Sequence, residues 1–296
     1  MRVVIAGASG FLGTHLSDHL RVQGHEVTAL VRRTPTTEHE SQWDPAAREV
    51  DAAVIGRADA VVNLAGKSIA SNPHSKAYAR EVMDSRVSTT RLLAETIAAA
   101  ERPPAFLAGN GISVYGDHGD AVVTEETDSA GDALLTRVAR EWQAATEPAK
   151  AAGSRVCVLR TSPVMDRTSP PLKQLALLFK LGGGAKLGSG EQYMPMISLR
   201  DWVGAVTFLI GSRDVSGAFN LCCPRTPTNA EFTHELASAV HRKAFLAVPA
   251  PLMKAAAGDM APELLGSVNA RPAALERAGY DFEDEDVREV LSAALS

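Results

Sequence analysis

"RVVIAGASGFLGTHL", residues 2–16, is the stretch on which the fold turns. Val3 to Ala6 is an apolar run short enough for a strand buried on both faces, and it leads straight into glycines at 7, 10 and 13. Glycines at a strand-to-helix turn let backbone N–H groups approach a pyrophosphate, and the following helix adds a favourable dipole at its N-terminus. The spacing is Gly-x-x-Gly-x-x-Gly rather than Gly-x-Gly-x-x-Gly, and a tight packing turn would use the same residues. Position favours a nucleotide site, because a strand precedes the triplet directly and a second strand-like run, "HEVTALV", follows at 25–31.

Further apolar runs follow at 58–66, 105–111, 154–162 and 217–223, with helical periodicity between them at 84–100 and 132–150. That alternation predicts an α/β fold, a doubly wound parallel sheet of Rossmann type with a smaller, mainly helical C-terminal lobe. Residues 1–165 are expected to form the nucleotide-binding core, completed by elements within about 195–223, and residues 166–296 the substrate lobe. "SPPLKQLALLFKLGGG" opens the lobe as a helix with prolines at its start and glycines past its end. Tied down at few points, residues 170–194 are expected to form a moving wall of the ligand cleft. "TNAE", 228–231, has the spacing of a helix capping box, and short helices broken by Pro251, Pro262 and Pro272 follow.

About 20 residues beyond the glycine turn, an NAD site places an acidic residue on the ribose hydroxyl. Here stands "VRR": Arg32 and Arg33 occupy the place of a 2′-phosphate clamp, which predicts NADP(H) as cofactor. In "SQWDP", Trp43 and Asp44 are candidate neighbours of the adenine, a packing role for the tryptophan being the alternative.

With 45% hydrophobic and 22% charged residues among 296, the chain has globular usage, and its net charge of −5 with scattered Lys and Arg excludes a nucleic-acid footprint. No apolar span approaches 18 residues, so no membrane partner is expected. Cys157, Cys222 and Cys223 match neither a disulfide framework nor a zinc pattern; no metal is expected, and a reducing, cytoplasmic setting fits best. A small-molecule substrate is the expected partner, with a homodimer left open.

The glycine turn, "NLAG" at 63–66 and Tyr115-Gly116 resemble the extended and atypical short-chain dehydrogenase/reductases, the superfamily of nucleotide-sugar epimerases. "WDP" (43–45), "DSRVSTTRLL" (84–93), "YGDHGD" (115–120), "LGSGEQYM" (187–194) and "RPAALERAGYDF" (271–282) narrow the resemblance to its NADP-binding "epimerase family protein" branch, whose substrate is undefined. The resemblance implies a pyrophosphate site at Gly7, Gly10 and Gly13 with backbone help from Ser9, Phe11 and Leu12, and a clamp from Arg32 and Arg33. Leu64, Ala65 and Gly66 would pass under the ribose, Arg86 would stand near it, and Thr161 to Val164, Pro163 included, would follow the sixth strand past the nicotinamide.

The superfamily's Tyr-x-x-x-Lys pair is absent. Residues four after Tyr78, Tyr115, Tyr193 and Tyr280 are Val82, Gly119, Ile197 and Asp284, and the matching helix positions are Leu134 and Val138. Asn110 and Gly111 stand where a catalytic serine is usual. Tyr115 and Ser113 remain as catalytic candidates, a tyrosine packed into a loop being the alternative. Lys67 is either an anion contact or a solvated lysine, and Asp117 and His118 either titrate usefully or make a polar turn. The function expected is an NADP(H)-dependent oxidoreductase or epimerase-like enzyme acting on a small carbonyl or hydroxyl compound, and the alternative is a non-catalytic NADPH-binding sensor.

Overall fold

In the computed structural model, which describes residues 1–69, 75–249, 251–252, 255 and 261–296, all six apolar runs are strands of one eight-stranded sheet. They are β1 (Arg2–Ala6), β2 (Glu26–Val31), β5 (Ala60–Asn63), β6 (Ala105–Gly111), β8 (Val156–Thr161) and β12 (Gly217–Leu221). The other two, β3 (Glu40–Asp44) and β4 (Glu49–Val50), complete the order β12-β8-β6-β5-β1-β2-β3-β4. β1 lies between β2 and β5, parallel to both, with Val4 opposite Thr28 and Val61. From this pair the chain winds outward in opposite directions. The crevice at the carboxyl ends of β1 and β5 is therefore the switch point at which open α/β sheets take ligands.

β3 and β4 have no apolar run to announce them. Ser41 and Trp43 are buried while Gln42 and Asp44 are exposed, the alternation of an outer strand with one covered face, and Trp43 pairs with Val50 in an antiparallel turn-back.

Helix α1 (Phe11–Val22) buries Gly13, Leu16, Ser17 and Leu20, a three-and-four spacing that lays one face on the sheet. α2 (Ala52–Arg57) is capped by Asp51, and α3 (Lys76–Ala98) starts at Ser75, whose hydroxyl accepts from Tyr78 N. The helical pattern at 132–150 is two helices, α4 (Leu134–Ala144) and α5 (Glu147–Ala151), the second opened by Pro148. Leu93, Ile97, Ile55, Val61 and Phe106 anchor a core against which Trp43 packs.

By its contacts the chain divides into two compact units and passes five times between them. The first comprises Met1–Asn110, Val138–Leu159 and Val206–Ala218; the second comprises Gly111–Arg137, Arg160–Ala205 and Phe219–Ser296. In the second, short parallel pairs tie distant segments together: β7 (Val122–Val123) with β14 (Asn269–Ala270), β9 (Val164–Met165) with β11 (Ile197–Ser198), and β10 (Ala185–Leu187) with β13 (Leu246–Val248). Its core gathers Leu172 and Phe179 of α6 (Pro170–Lys180), Leu236 of α8 (Asn229–Ala239) and Leu291 of the helix Val287–Leu295. The capping box is present: Thr228 Oγ1 accepts from Glu231 N, and the Glu231 carboxylate accepts from Thr228 N. Asp201, in the first turn of α7 (Leu199–Gly211), is fully buried and accepts from Tyr280, Glu283 N and Asp284 N, which fastens the C-terminal segment to this helix. Of the short helices expected around Pro251, Pro262 and Pro272, Ala261–Leu265 and Ala273–Ala278 are present, while residues 253–254 and 256–260 lie outside the described residues.

Candidate functional site

The glycine turn closes without room for side chains. Gly7 has φ +82°, and a Cβ there would lie 2.7 Å from the Leu64 carbonyl carbon; a Cβ on Gly13 would lie 2.1 Å from Gly7 O. Gly10 N donates to Gly7 O at 3.0 Å, and Thr14 N to Gly10 O at 2.9 Å. As N-cap of α1, Gly10 offers no side-chain acceptor, so the first-turn amides of Phe11, Leu12 and Gly13 keep their donors for an anion. Phe11 itself turns its ring edge-on to His15, at 4.9 Å between centroids.

Over this turn runs an open groove of about 1350 Å³, lined wholly by residues of the first unit. Gly7, Ser9 and Gly10 form its floor; Arg32, Arg33, Trp43 and Asp44 line it from β2 and β3, and Leu64, Ala65 and Gly66 from the exit of β5.

The two arginines are not equivalent. Arg33 is held by Glu40 through two hydrogen bonds, 2.5 and 2.9 Å, and also reaches Thr34 O and Thr36 Oγ1. Its guanidinium is the main reason the Glu40 pKa falls to about 2, with Thr36 N assisting. Arg32 is exposed on the groove with no hydrogen bond or ion pair to any described residue. Trp43 is 4% exposed and belongs to the core as much as to the groove wall. The Asp44 carboxylate accepts from Ala46 N and Ala47 N, which fixes the turn into β4.

Asn63, which the sequence reading passed over, sets the opposite wall. Its side chain is buried, donates to Thr90 Oγ1 at 2.9 Å and accepts from Ala65 N at 3.1 Å, so the Leu64–Gly66 backbone leaves the sheet in one conformation. "NLAG" carried that signal: a polar residue at the end of an apolar strand needs an internal partner. Arg86, expected near a ribose, packs against Gly66 and donates to Lys67 O at 2.9 Å. Lys67, exposed, is ion-paired with Glu81 and sits 4.7 Å from the Tyr78 ring centroid.

The catalytic candidates belong to the second unit. Tyr115, expected to meet a substrate, is fully buried in the second unit. Its hydroxyl donates to Asn220 Oδ1 at 2.8 Å and accepts from Arg160 Nη1 at 2.7 Å. Burial pushes its pKa up to about 12, an effect the Arg160 cation offsets only in part. The physical reason is local: Ile112–Tyr115 is a 3-10 turn that carries Val114 and Tyr115 inward, while Ser113 remains half-buried. Thr161 accepts from Trp202 Nε1 at 3.2 Å, and Pro163 is exposed with its carbonyl accepting from Ile197 N, both within the second unit. Asn110, at the usual serine position, belongs to the first unit and donates to Ala139 O at 3.0 Å. Among the described residues no group of three or more His, Cys, Asp or Glu is placed to hold a metal, and no helix is long and apolar enough to cross a membrane.

Comparison with known proteins places this geometry in a family. The model of the NAD dependent epimerase/dehydratase family matches residues 3–222, and a domain of unknown function, DUF1731, matches 248–294. Epimerase family protein Mb2239 of Mycobacterium bovis is 40% identical over 293 residues, covering 99% of this chain and 97% of that protein. Among solved structures, human epimerase family protein SDR39U1 (isoform 2) with NADPH superposes with a TM-score of 0.89 at 30% identity, covering 100% of this chain and 99% of that one. A nucleoside-diphosphate sugar epimerase from Corynebacterium glutamicum gives 0.81 at 31%, covering 100% of this chain and 58% of that one.

Proposed function

Because the chain belongs to the NAD dependent epimerase/dehydratase family, we propose that it binds NADP(H) in the first-unit groove and works as an oxidoreductase or epimerase-like enzyme on a small carbonyl or hydroxyl compound. The observation that carries this reading is the pairing state of the two arginines: Arg33 is neutralised by Glu40, while Arg32 faces the groove with its charge unspent. Gly7, Ser9 and Gly10 with the first amides of α1 hold the diphosphate, Arg32 takes the 2′-phosphate, and Ala65 and Gly66, fixed by Asn63, support the ribose side. The nicotinamide supplies hydride transfer when bound. The structure of human SDR39U1 with NADPH supports the same choice of cofactor.

A second reading, a non-catalytic NADPH-binding sensor, is favoured by Tyr115: its phenol is shut away from solvent and already bonded on both sides. Ser113 or water is then the remaining proton donor for the enzyme reading.

Fluorescence titration with NADPH and NADH tests the proposal. A charge-assisted bond to phosphate is worth about 1.5–3 kcal/mol, so NADPH should bind roughly 10- to 100-fold more tightly, and Arg32→Ala should abolish most of that preference. Equal affinities in the unmodified protein would sink the NADP(H) assignment. Following nicotinamide absorbance against aldehydes, ketones and quinones then separates the readings. Turnover supports the enzyme, and tight binding with no turnover across the panel supports the sensor.

A further inference from the structure

A second cavity, of about 620 Å³, lies wholly within the second unit, walled by α8, the segment leading into β13, and Lys186 of β10. That volume is in the range of small-molecule sites. The chain assembles it with a sharp reversal. After α8, His241 takes φ +56°, the left-handed position that glycine usually fills, and Arg242 N donates to Ala237 O at 2.8 Å. The reversal leads 242–246 into β13, whose parallel pairing sets Ala247 opposite Lys186. Arg242 staples the turn, its Nε donating to Lys180 O at the end of α6 at 3.0 Å.

Charge in its wall runs against the composition of the chain. Acidic residues outnumber basic ones by 35 to 30, and elsewhere in the second unit Arg200, Arg225 and Arg277 are answered by carboxylates. Here Lys186, Arg242 and Lys243 line one cavity whose wall holds no acidic residue, and none of the three is ion-paired with a described residue. Lys186 Nζ donates to Ser189 O at 3.1 Å, and Lys243 makes no hydrogen bond to a described residue. A hydroxyl gives an independent sign. Thr233 lines the same cavity at 5% exposure, and its Oγ1 meets no described partner. A polar group so deeply placed calls for a partner, and the cavity is where one fits. The rest of the wall is apolar, and Phe245 and Leu246 stand 84% and 57% exposed at its rim. Exposed apolar surface beside unpaired cations suits a ligand with an anionic head and an apolar body.

We infer that this cavity is a binding site for an organic anion, its phosphate or carboxylate head held by Lys186, Lys243 and Thr233 and its apolar body laid on Phe245 and Leu246. Arg242 holds the turn that carries Lys243 and Phe245. The site shares no residue with the groove over the glycine turn, so it is independent of what that groove binds.

Wild type, Phe245→Ala and the double variant Lys186→Gln, Lys243→Gln, all changed at exposed positions, are titrated with anilinonaphthalene sulfonate, an anion with an aromatic body, and with its uncharged analogue N-phenylnaphthylamine. Emission from dye held elsewhere on the molecule is common to the three proteins and cancels in the differences. The sulfonate should bind wild type tenfold or more tightly than the double variant and more tightly than Phe245→Ala, a preference that shrinks as salt rises, while the uncharged dye binds wild type and the double variant alike. Decyl phosphate and decanoate then compete for the site, and the one that displaces the sulfonate at the lower concentration names the head group. Equal sulfonate affinity in wild type and the double variant overturns the inference, as does displacement by neither competitor. Flotation of wild type with phosphatidylserine vesicles, together with those equal affinities, would assign the cations to a membrane surface and overturn the cavity. Should the double variant not fold, a wild-type sulfonate signal that neither competitor alters overturns it equally.

Discussion

At the scale of single residues, pairing decides more than residue type. Arg32 and Arg33 are chemically identical, yet Glu40 removes one of them from competition for a ligand. With its pKa near 2, set first by Arg33 and then by Thr36, Glu40 is ionised throughout the neutral range, and what the pair contributes is lost only as pH falls from about 4.5 through 2. Arg33→Ala should therefore change NADPH affinity less than about threefold, against the 10- to 100-fold loss for Arg32→Ala. Glu40→Gln in the Arg32→Ala background should release Arg33 and recover part of the loss; no recovery would show that Arg33 cannot reach the phosphate. Tyr115 is a second instance of pairing over type. Tyr115→Phe leaves Asn220 Oδ1 and Arg160 without that partner in a buried setting, and should cost about 1–3 kcal/mol of stability while leaving NADPH affinity unchanged. A phenol whose folded pKa is raised contributes stability that is intact below pH 10 and lost as pH rises toward 12. The alkaline loss of stability in urea titrations should accordingly be shallower in Tyr115→Phe than in wild type, and identical slopes would remove Tyr115 from the account.

At the scale of elements, the turn after β1 is built by contact and not by flexibility. A Cβ on Gly13 would strike Gly7 O at 2.1 Å, backbone against backbone, so Gly13→Ala must distort the turn; it should cost about 3 kcal/mol and abolish NADPH binding. Gly56, exposed on α2, has no atom nearer than 3.9 Å to its would-be Cβ, and Gly56→Ala should gain about 0.5–1 kcal/mol by helix propensity alone. Chemical denaturation of the pair tests the contrast, and a Gly13→Ala protein that binds NADPH normally would refute the cradle. The same physics explains what could be read in advance. Strands buried on both faces advertise themselves as apolar runs, and glycines forced by close approach stand at fixed spacing, so the sheet and its glycine turn were legible. β3 was not, because an outer strand shows only Ser41 and Trp43 inward, too little pattern to separate from a loop.

At the scale of the whole molecule, legibility ends where partners are far apart in sequence. Tyr115 meets Arg160 and Asn220, 45 and 105 residues away, and nothing in "SVYGD" announces either, so the tyrosine read as a catalytic candidate. The five crossings between units were hidden for the same reason: contacts, not composition, assign Gly111–Arg137 to the second unit. The division makes a prediction about how each ligand acts. Every residue lining the groove over the glycine turn belongs to the first unit, whereas 170–194, expected from sequence to be a moving wall, belongs to the second. NADPH at 100 times its Kd stabilises the state that binds it by about 2.7 kcal/mol. Amides that exchange through opening of the groove should therefore slow by about 100-fold, at residues 7–14, 29–33 and 64–67. Segment 170–194 should keep its apo exchange rates with NADPH alone and slow only when a true substrate is added. Hydrogen-exchange mass spectrometry distinguishes the cases: equal protection of 170–194 by NADPH alone would show that the cofactor already orders the second unit, and the segment would then lose its assignment as the substrate-responsive wall.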